Sequence, residues 1–130
     1  MTQEEKDILI ADLCGRLPYE LIIKYNDGFR QSKEKLVSVD VGNGLINYDW
    51  LLTDIKPCLR PLSSMTEEEK EEYGKVCDLD TEIIENHFMN GEPFPALYNS
   101  QDWLNRKMFD FRGLIPKGLA NKASEGMYFT

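Results

Sequence analysis

Apolar residues recur at helical spacing near the N-terminus, at Ile8, Leu9, Ala11, Leu13 and Cys14. Thr2 and Glu5 stand at capping-box spacing, in which hydroxyl and carboxylate each satisfy the other residue's amide. Acids crowd the first turn, as the helix dipole favours, and Gly15 offers a left-handed stop. The pattern predicts a helix over residues 3–14. Beyond Pro18, residues 19–25 are β-branched and aromatic and lead to an Asn26-Asp27-Gly28 turn. Residues 31–35 are a polar stretch. In residues 36–41, apolar 37, 39 and 41 alternate with polar 38 and 40, which predicts a strand with one buried face. Gly42-Asn43-Gly44 suits a tight hairpin, with residues 45–48 returning. These segments together predict an antiparallel meander of about three strands.

The second half of the chain reads differently. In residues 49–62, Trp50, Leu51, Leu52 and Ile55 call for burial, while Pro57 and Pro61 argue against a long helix or a central strand. Thr66 and Glu69 repeat the capping-box spacing and open a surface helix over 67–76, whose main apolar positions are Tyr73 and Val76. Leu79, Ile83, Ile84 and Phe88 fit a second amphipathic helix after a break near Asp78, and 90–95 reads as a loop. Ser100 caps a final helix over 101–109 that buries Trp103, Leu104 and Met108. Leu114, Ile115 and Leu119 imply a tail packed on the body. The expected architecture is α+β: an N-terminal helix, a small antiparallel β-meander, two or three helices and a packed irregular C-terminal tail. The core should draw on Leu9, Leu13, Leu21, Ile23, Val37, Val39, Trp50, Ile55, Trp103, Leu104 and Phe109.

The 130 residues fit one domain, 1–130, large enough to need no metal or disulfide staple. Three widely spaced cysteines, Cys14, Cys58 and Cys77, form no CxxC pair and fit reduced thiols in a cytoplasmic setting. The acidic N-terminus does not resemble a signal peptide, and no apolar run reaches membrane-spanning length. Charge is unevenly laid out. Residues 66–92 carry ten acids against two lysines, a net −8 equal to that of the whole chain. Such a block bears on solubility and partners rather than on fold.

Candidate chemistry is sparse. Asp78, Asp80 and Glu82 imitate the opening of a calcium loop, but Ile83 and Met89 occupy the places that need glycine and a bidentate glutamate. His87 is the sole imidazole and no turn frames a nucleophile, so neither zinc nor hydrolase chemistry is indicated. Gly42-Asn43-Gly44 lacks the remainder of a phosphate-binding loop. The sequence therefore implies no cofactor, no metal and no catalytic residue, although carboxylates that converge only in the fold leave an enzyme open as an alternative. Arg106, Lys107, Arg112, Lys117 and Lys122, with Phe109 and Phe111 among them, leave a nucleic-acid-binding segment over 103–122 open as another. The net charge argues against it.

Three segments are distinctive: Leu13–Tyr19 (LCGRLPY), Ile55–Glu69 (IKPCLRPLSSMTEEE) and Phe109–Ala120 (FDFRGLIPKGLA). With these, the chain resembles a family of small proteins of gut anaerobic bacteria and their phages or mobile elements, a family without an assigned activity. The resemblance implies a bacterial or phage cytoplasm and assigns no functional residue. The expectation is a non-enzymatic accessory protein that binds another protein, with self-association left open and no membrane or nucleic-acid partner. Its contacts are expected at Trp103, Arg106, Phe109, Phe111 and Arg112, since aromatics and arginine anchor interfaces. An acidic docking face for a basic partner is expected at Glu67, Glu68, Glu69, Glu71 and Glu72.

Overall fold

The computed structural model describes residues 1–77 and 98–128. The expected helix over Leu79 to Phe88, the calcium-like run at 78–82, His87 and the loop at 90–95 lie outside the described residues. Helix α1 spans Gln3–Arg16 and opens on the expected capping box. The Glu5 amide donates to Thr2 Oγ1 at 3.1 Å, and the Thr2 amide donates to Glu5 Oε1 at 2.9 Å. Its buried stripe is Leu9, Asp12, Leu13 and Arg16, an i, i+3, i+4, i+7 pattern with a charged pair inside it. Gly15 does not stop the helix. A Cβ at Gly15 would lie 2.9 Å from Asn105 Nδ2, so the glycine leaves room for the Asn105 side chain against α1. The left-handed residue is Glu20 (φ 60°), after a 3-10 turn over Leu17–Tyr19.

Strands β1 (Ile22–Asn26) and β2 (Gln31–Lys35) form an antiparallel hairpin, and β6 (Ile55–Leu59) pairs antiparallel with the other side of β1. Strand β7 (Asn121–Lys122) completes the order β2-β1-β6-β7 by running parallel to β6. The hairpin turn is held by Asp27, whose Oδ1 accepts from the amides of Phe29 at 2.8 Å and Arg30 at 2.7 Å. Two strands of this sheet are not legible in the sequence pattern. The polar stretch 31–35 is a strand, because an edge strand exposed along its length needs only backbone pairing, not an apolar face. Pro57 sits within a strand of the sheet interior, opposite Ile23. It is tolerated because β7 reaches only Cys58 and Leu59, so at Pro57 the strand has one neighbour.

A second, smaller sheet contains β3 (Val39–Asp40), β4 (Leu45–Ile46) and β5 (Trp50–Leu51), all antiparallel. The glycine turn at 42–44 joins β3 to β4 as expected. The strand expected over 36–41 shrinks to two residues. Leu36 is buried and its amide donates to Leu21 O at 2.8 Å, whereas Val37 points outward. Tyr25 and Trp50 stack with centroids 4.5 Å apart and tie the two sheets together.

Helix α2 (Glu67–Cys77) and helix α3 (Tyr98–Arg106) pack against each other. Ser100 lies inside the first turn of α3 rather than at its cap. The core has two parts. One gathers α1, the larger sheet and the tail around Leu9, Leu13, Ile23, Leu59 and Leu114. The other is built from Met65, Tyr73, Trp103, Leu104, Phe109 and Phe111. Of the expected core, Val39 and Trp50 are half-buried and Val37 is exposed, while Leu9, Leu13, Leu21, Ile23, Ile55, Trp103, Leu104 and Phe109 are buried. The fold is α+β. No helix among the described residues is long and apolar enough to cross a membrane.

Candidate functional site

The aromatic residues expected to meet a partner are inside the protein. Trp103, Phe109 and Phe111 are buried, with the Trp103 ring stacked on Phe109 at 5.9 Å and tilted against Tyr73 at 5.1 Å. The physical reason is a reversal after α3. Met108 adopts a left-handed conformation (φ 65°), and residues 108–110 then run beside Arg60. The Arg60 amide donates to Met108 O at 2.7 Å and the Asp110 amide to Arg60 O at 2.8 Å. This contact lays Phe109 under the Arg60 guanidinium, 4.1 Å from its ring centre. Among the five expected contacts only Arg106 is exposed.

Arg112 belongs to a buried charge cluster. Asp12 accepts from Arg16 Nε and Nη2, each at 2.9 Å, and from Arg112 Nη1 at 2.6 Å. Arg16 also donates to Phe109 O at 2.6 Å and Leu104 O at 3.4 Å. Phe111 lies beside both guanidiniums, 4.2 Å from Arg112 and 5.5 Å from Arg16. Burial pulls the Arg112 pKa down from its ordinary value, against the opposing pull of Asp12. The cluster fastens α1, the end of α3 and the tail, and its guanidiniums are committed to internal acceptors.

The acidic face divides in the same way. Glu67, Glu68, Glu71 and Glu72 are exposed. Glu69 is buried against Arg60 in a two-toothed pair at 2.7 and 2.8 Å, and also accepts from the Thr66 amide at 3.0 Å. Glu72 accepts from Trp103 Nε1 at 2.9 Å. Among the described residues, no three His, Cys, Asp or Glu side chains gather as metal ligands would.

Two other surfaces stand out. The first is apolar. Among the described residues the exposed large hydrophobics are Met1, Phe29 (95% exposed), Val37 (58%), Val41 (60%), Tyr48 (72%) and Leu51 (55%), so all but Met1 fall within residues 29–51. Asp40, Leu45 and Leu51 stand in register across the small sheet. Asn47 (φ 49°) and Tyr48 (φ 74°) are consecutive left-handed residues. For a bulky side chain that conformation is disfavoured. The backbone is pinned there because the Tyr48 amide donates to Ser38 Oγ at 3.1 Å and Asn47 Oδ1 accepts from the Val37 amide at 2.7 Å.

The second surface is basic. Lys33, Lys24 and Lys56 stand directly opposite one another on adjacent strands β2, β1 and β6. All three are exposed and line a shallow depression of about 610 Å³ with Gln31, Thr53 and Asn121. Asp54 is the only acid in its lining. Like charges placed opposite one another are unfavourable in a sheet, and none of the three lysines forms an ion pair among the described residues. The row leaves no pattern in the linear sequence, because β2 carries no apolar alternation. The available signal was Lys24, a charged position between apolar Ile23 and aromatic Tyr25.

Compared with protein-family models, with curated proteins and with solved structures, the chain matches none.

Proposed function

We propose that the chain acts by binding another protein, through the apolar side chains of residues 29–51 rather than through the aromatics of 103–111. The observation that carries this reading is that exposed Phe29, Val37, Val41, Tyr48 and Leu51 fall within one stretch of sequence, Phe29 in the β1–β2 turn and the other four on or beside the small sheet. Apolar side chains gathered at a surface mark interaction sites, whereas scattered ones do not. Tyr48 adds weight, because a bulky residue held in a left-handed turn and left exposed gains nothing for the fold.

The partner's chemistry follows from the surroundings. Asp40 and Asp49 are exposed beside Val41 and Tyr48, and the chain carries a net −8. Asparagine 43 donates to Asp40 from its side-chain and backbone nitrogens, which holds the Asp40 carboxyl below its usual range and keeps it charged. The surface therefore suits a protein with an apolar contact patch rimmed by lysine or arginine. On the sequence resemblance alone, we propose a bacterial or phage protein as that partner.

Affinity capture with the wild type and with a Tyr48→Ser, Leu51→Ser double variant tests the reading. A partner retained by the wild type and lost by the equally folded variant is the expected result. Identical retention by both proteins, or no retained protein even at low salt, would refute it.

A further inference from the structure

From the row of lysines across the larger sheet, we infer a binding site for a small multivalent phosphate, of the di- or triphosphate kind. The centre of this row does nothing evident for the fold. Lysines on an edge strand protect against edge-to-edge pairing, and this accounts for Lys33 and Lys35 on β2. It does not account for Lys24 on β1, which is paired on both sides, to Lys33 and to Lys56. Lys35, at one end of β2, has a carboxylate neighbour in Glu20 at 3.2 Å. Lys24, Lys33 and Lys56 have no such neighbour among the described residues, although the chain has 23 acids to place.

Geometry then selects the ligand. Adjacent strands lie about 4.8 Å apart, so three ammonium-bearing positions in register span roughly 10 Å. The depression they line, about 610 Å³, falls in the range of small-molecule sites. Its other polar lining includes the carboxamides of Gln31 and Asn121 and the hydroxyl of Thr53, all able to donate to oxyanion oxygens. Lysine binds phosphate as a point charge and needs no fixed fork geometry. A short phosphate chain would place negative oxygens between neighbouring ammonium groups and turn mutual repulsion into attraction. A nucleic-acid backbone is the weaker fit, because the basic row is one residue deep and the whole chain repels a long polyanion.

Isothermal titration and amide-shift mapping with inorganic tripolyphosphate, ATP and a single-stranded oligonucleotide test the site at about 50 mM salt, where surface charge is weakly screened. Saturable one-to-one binding of tripolyphosphate is expected, with shifts on β1, β2 and β6. Lys24→Gln, at the centre of the row, should weaken it about tenfold, the loss of one charge-assisted contact. Lys117→Gln, outside the site, should leave it unchanged. Because Lys24→Gln also relieves like-charge crowding, it should melt no lower than wild type, so weakened binding cannot be put down to misfolding. Equal affinity for ATP and tripolyphosphate identifies the phosphate chain as the recognised group, and tighter ATP binding identifies a nucleotide, both within the inferred class. No saturable binding, undiminished binding by Lys24→Gln, or binding of the oligonucleotide alone would overturn the inference. So would salt-sensitive self-association that Lys24→Gln abolishes without any phosphate binding, which would assign the row to the acidic helix of a second copy.

Discussion

Asp12 and Arg16 form a two-toothed ion pair one helical turn apart, with both side chains wholly removed from water. Removing a charge from water is costly, and the arrangement holds only because each group is met by an opposite charge or by fixed dipoles. Arg112 adds a second guanidinium to the same carboxylate, so Asp12 is shared between two positive groups.

Replacing Asp12 with Ala should therefore lower the free energy of unfolding by about 3–5 kcal/mol, the loss typical of stranding a buried charge. Arg112→Gln should cost less, about 1–3 kcal/mol, because Arg112 is partly exposed and its removal leaves Asp12 still paired to Arg16. Urea denaturation at pH 7 measures both losses. Equal losses would mean that the carboxylate is not the centre of the cluster.

Glu69 joins two devices, as the carboxylate that closes a helix-capping box with Thr66 and as the partner of Arg60. Burial alone would raise its pKa, but the bonds from Arg60 and Thr66 outweigh burial and hold it below the ordinary 4.5. A depressed carboxylate contributes stability above its unfolded-state pKa and loses that contribution as the pH falls through its folded-state value. Wild type should thus exceed Glu69→Gln most clearly near pH 7, and the gap should narrow on acidification below about 4.5. Melting temperatures from pH 7 to pH 3 give the comparison, and a gap independent of pH would contradict it.

Tyr48 has a bulky side chain in a backbone conformation that asparagine tolerates. Tyr48→Asn should raise stability by roughly 0.5–1 kcal/mol through relief of the left-handed strain. Thermal melts should move up by a few degrees. The same substitution should weaken retention of a protein partner. A variant both less stable and unchanged in binding would show that the ring is a packing element after all.

Cys14 is exposed on α1, whereas Cys58 is buried in β6. Burial pushes the Cys58 thiol up from its ordinary range, against the opposing pull of Lys24 and Lys33. In a Cys77→Ser background, a thiol reagent at pH 8 should label one site in the native protein and a second only in denaturant. Mass spectrometry identifies each site, and native labelling of Cys58 would place β6 at the surface.

The helices were readable where a local signal was self-contained. Thr2 with Glu5, and Thr66 with Glu69, marked both capped helix starts because each box closes within four residues. The larger sheet was much less readable. Gln31–Lys35 gave no apolar alternation, since its pairing with β1 rests on backbone groups that every residue carries. Alternation over 36–41 misled in the opposite sense, because Val37 and Val41 face outward where sequence rules expect burial. The aromatic and basic run at 103–112 resembled an interface because sequence does not reveal the reversal at Met108 that folds it inward. The lysine row was hidden for a related reason. Residues 24, 33 and 56 come together only through strand register, which a linear pattern does not contain.

Tyr128 spans the ends of two strands: its hydroxyl accepts from the Ile22 amide at 3.1 Å and donates to Cys58 O at 2.6 Å. Those two groups lie 36 residues apart along the chain, yet a side chain further on serves both. During synthesis, β1 and β6 leave the ribosome well before this tyrosine, with an amide and a carbonyl still awaiting their partner. The larger sheet is thus fastened late, and a nascent chain halted before residue 128 would hold these strands without their clasp.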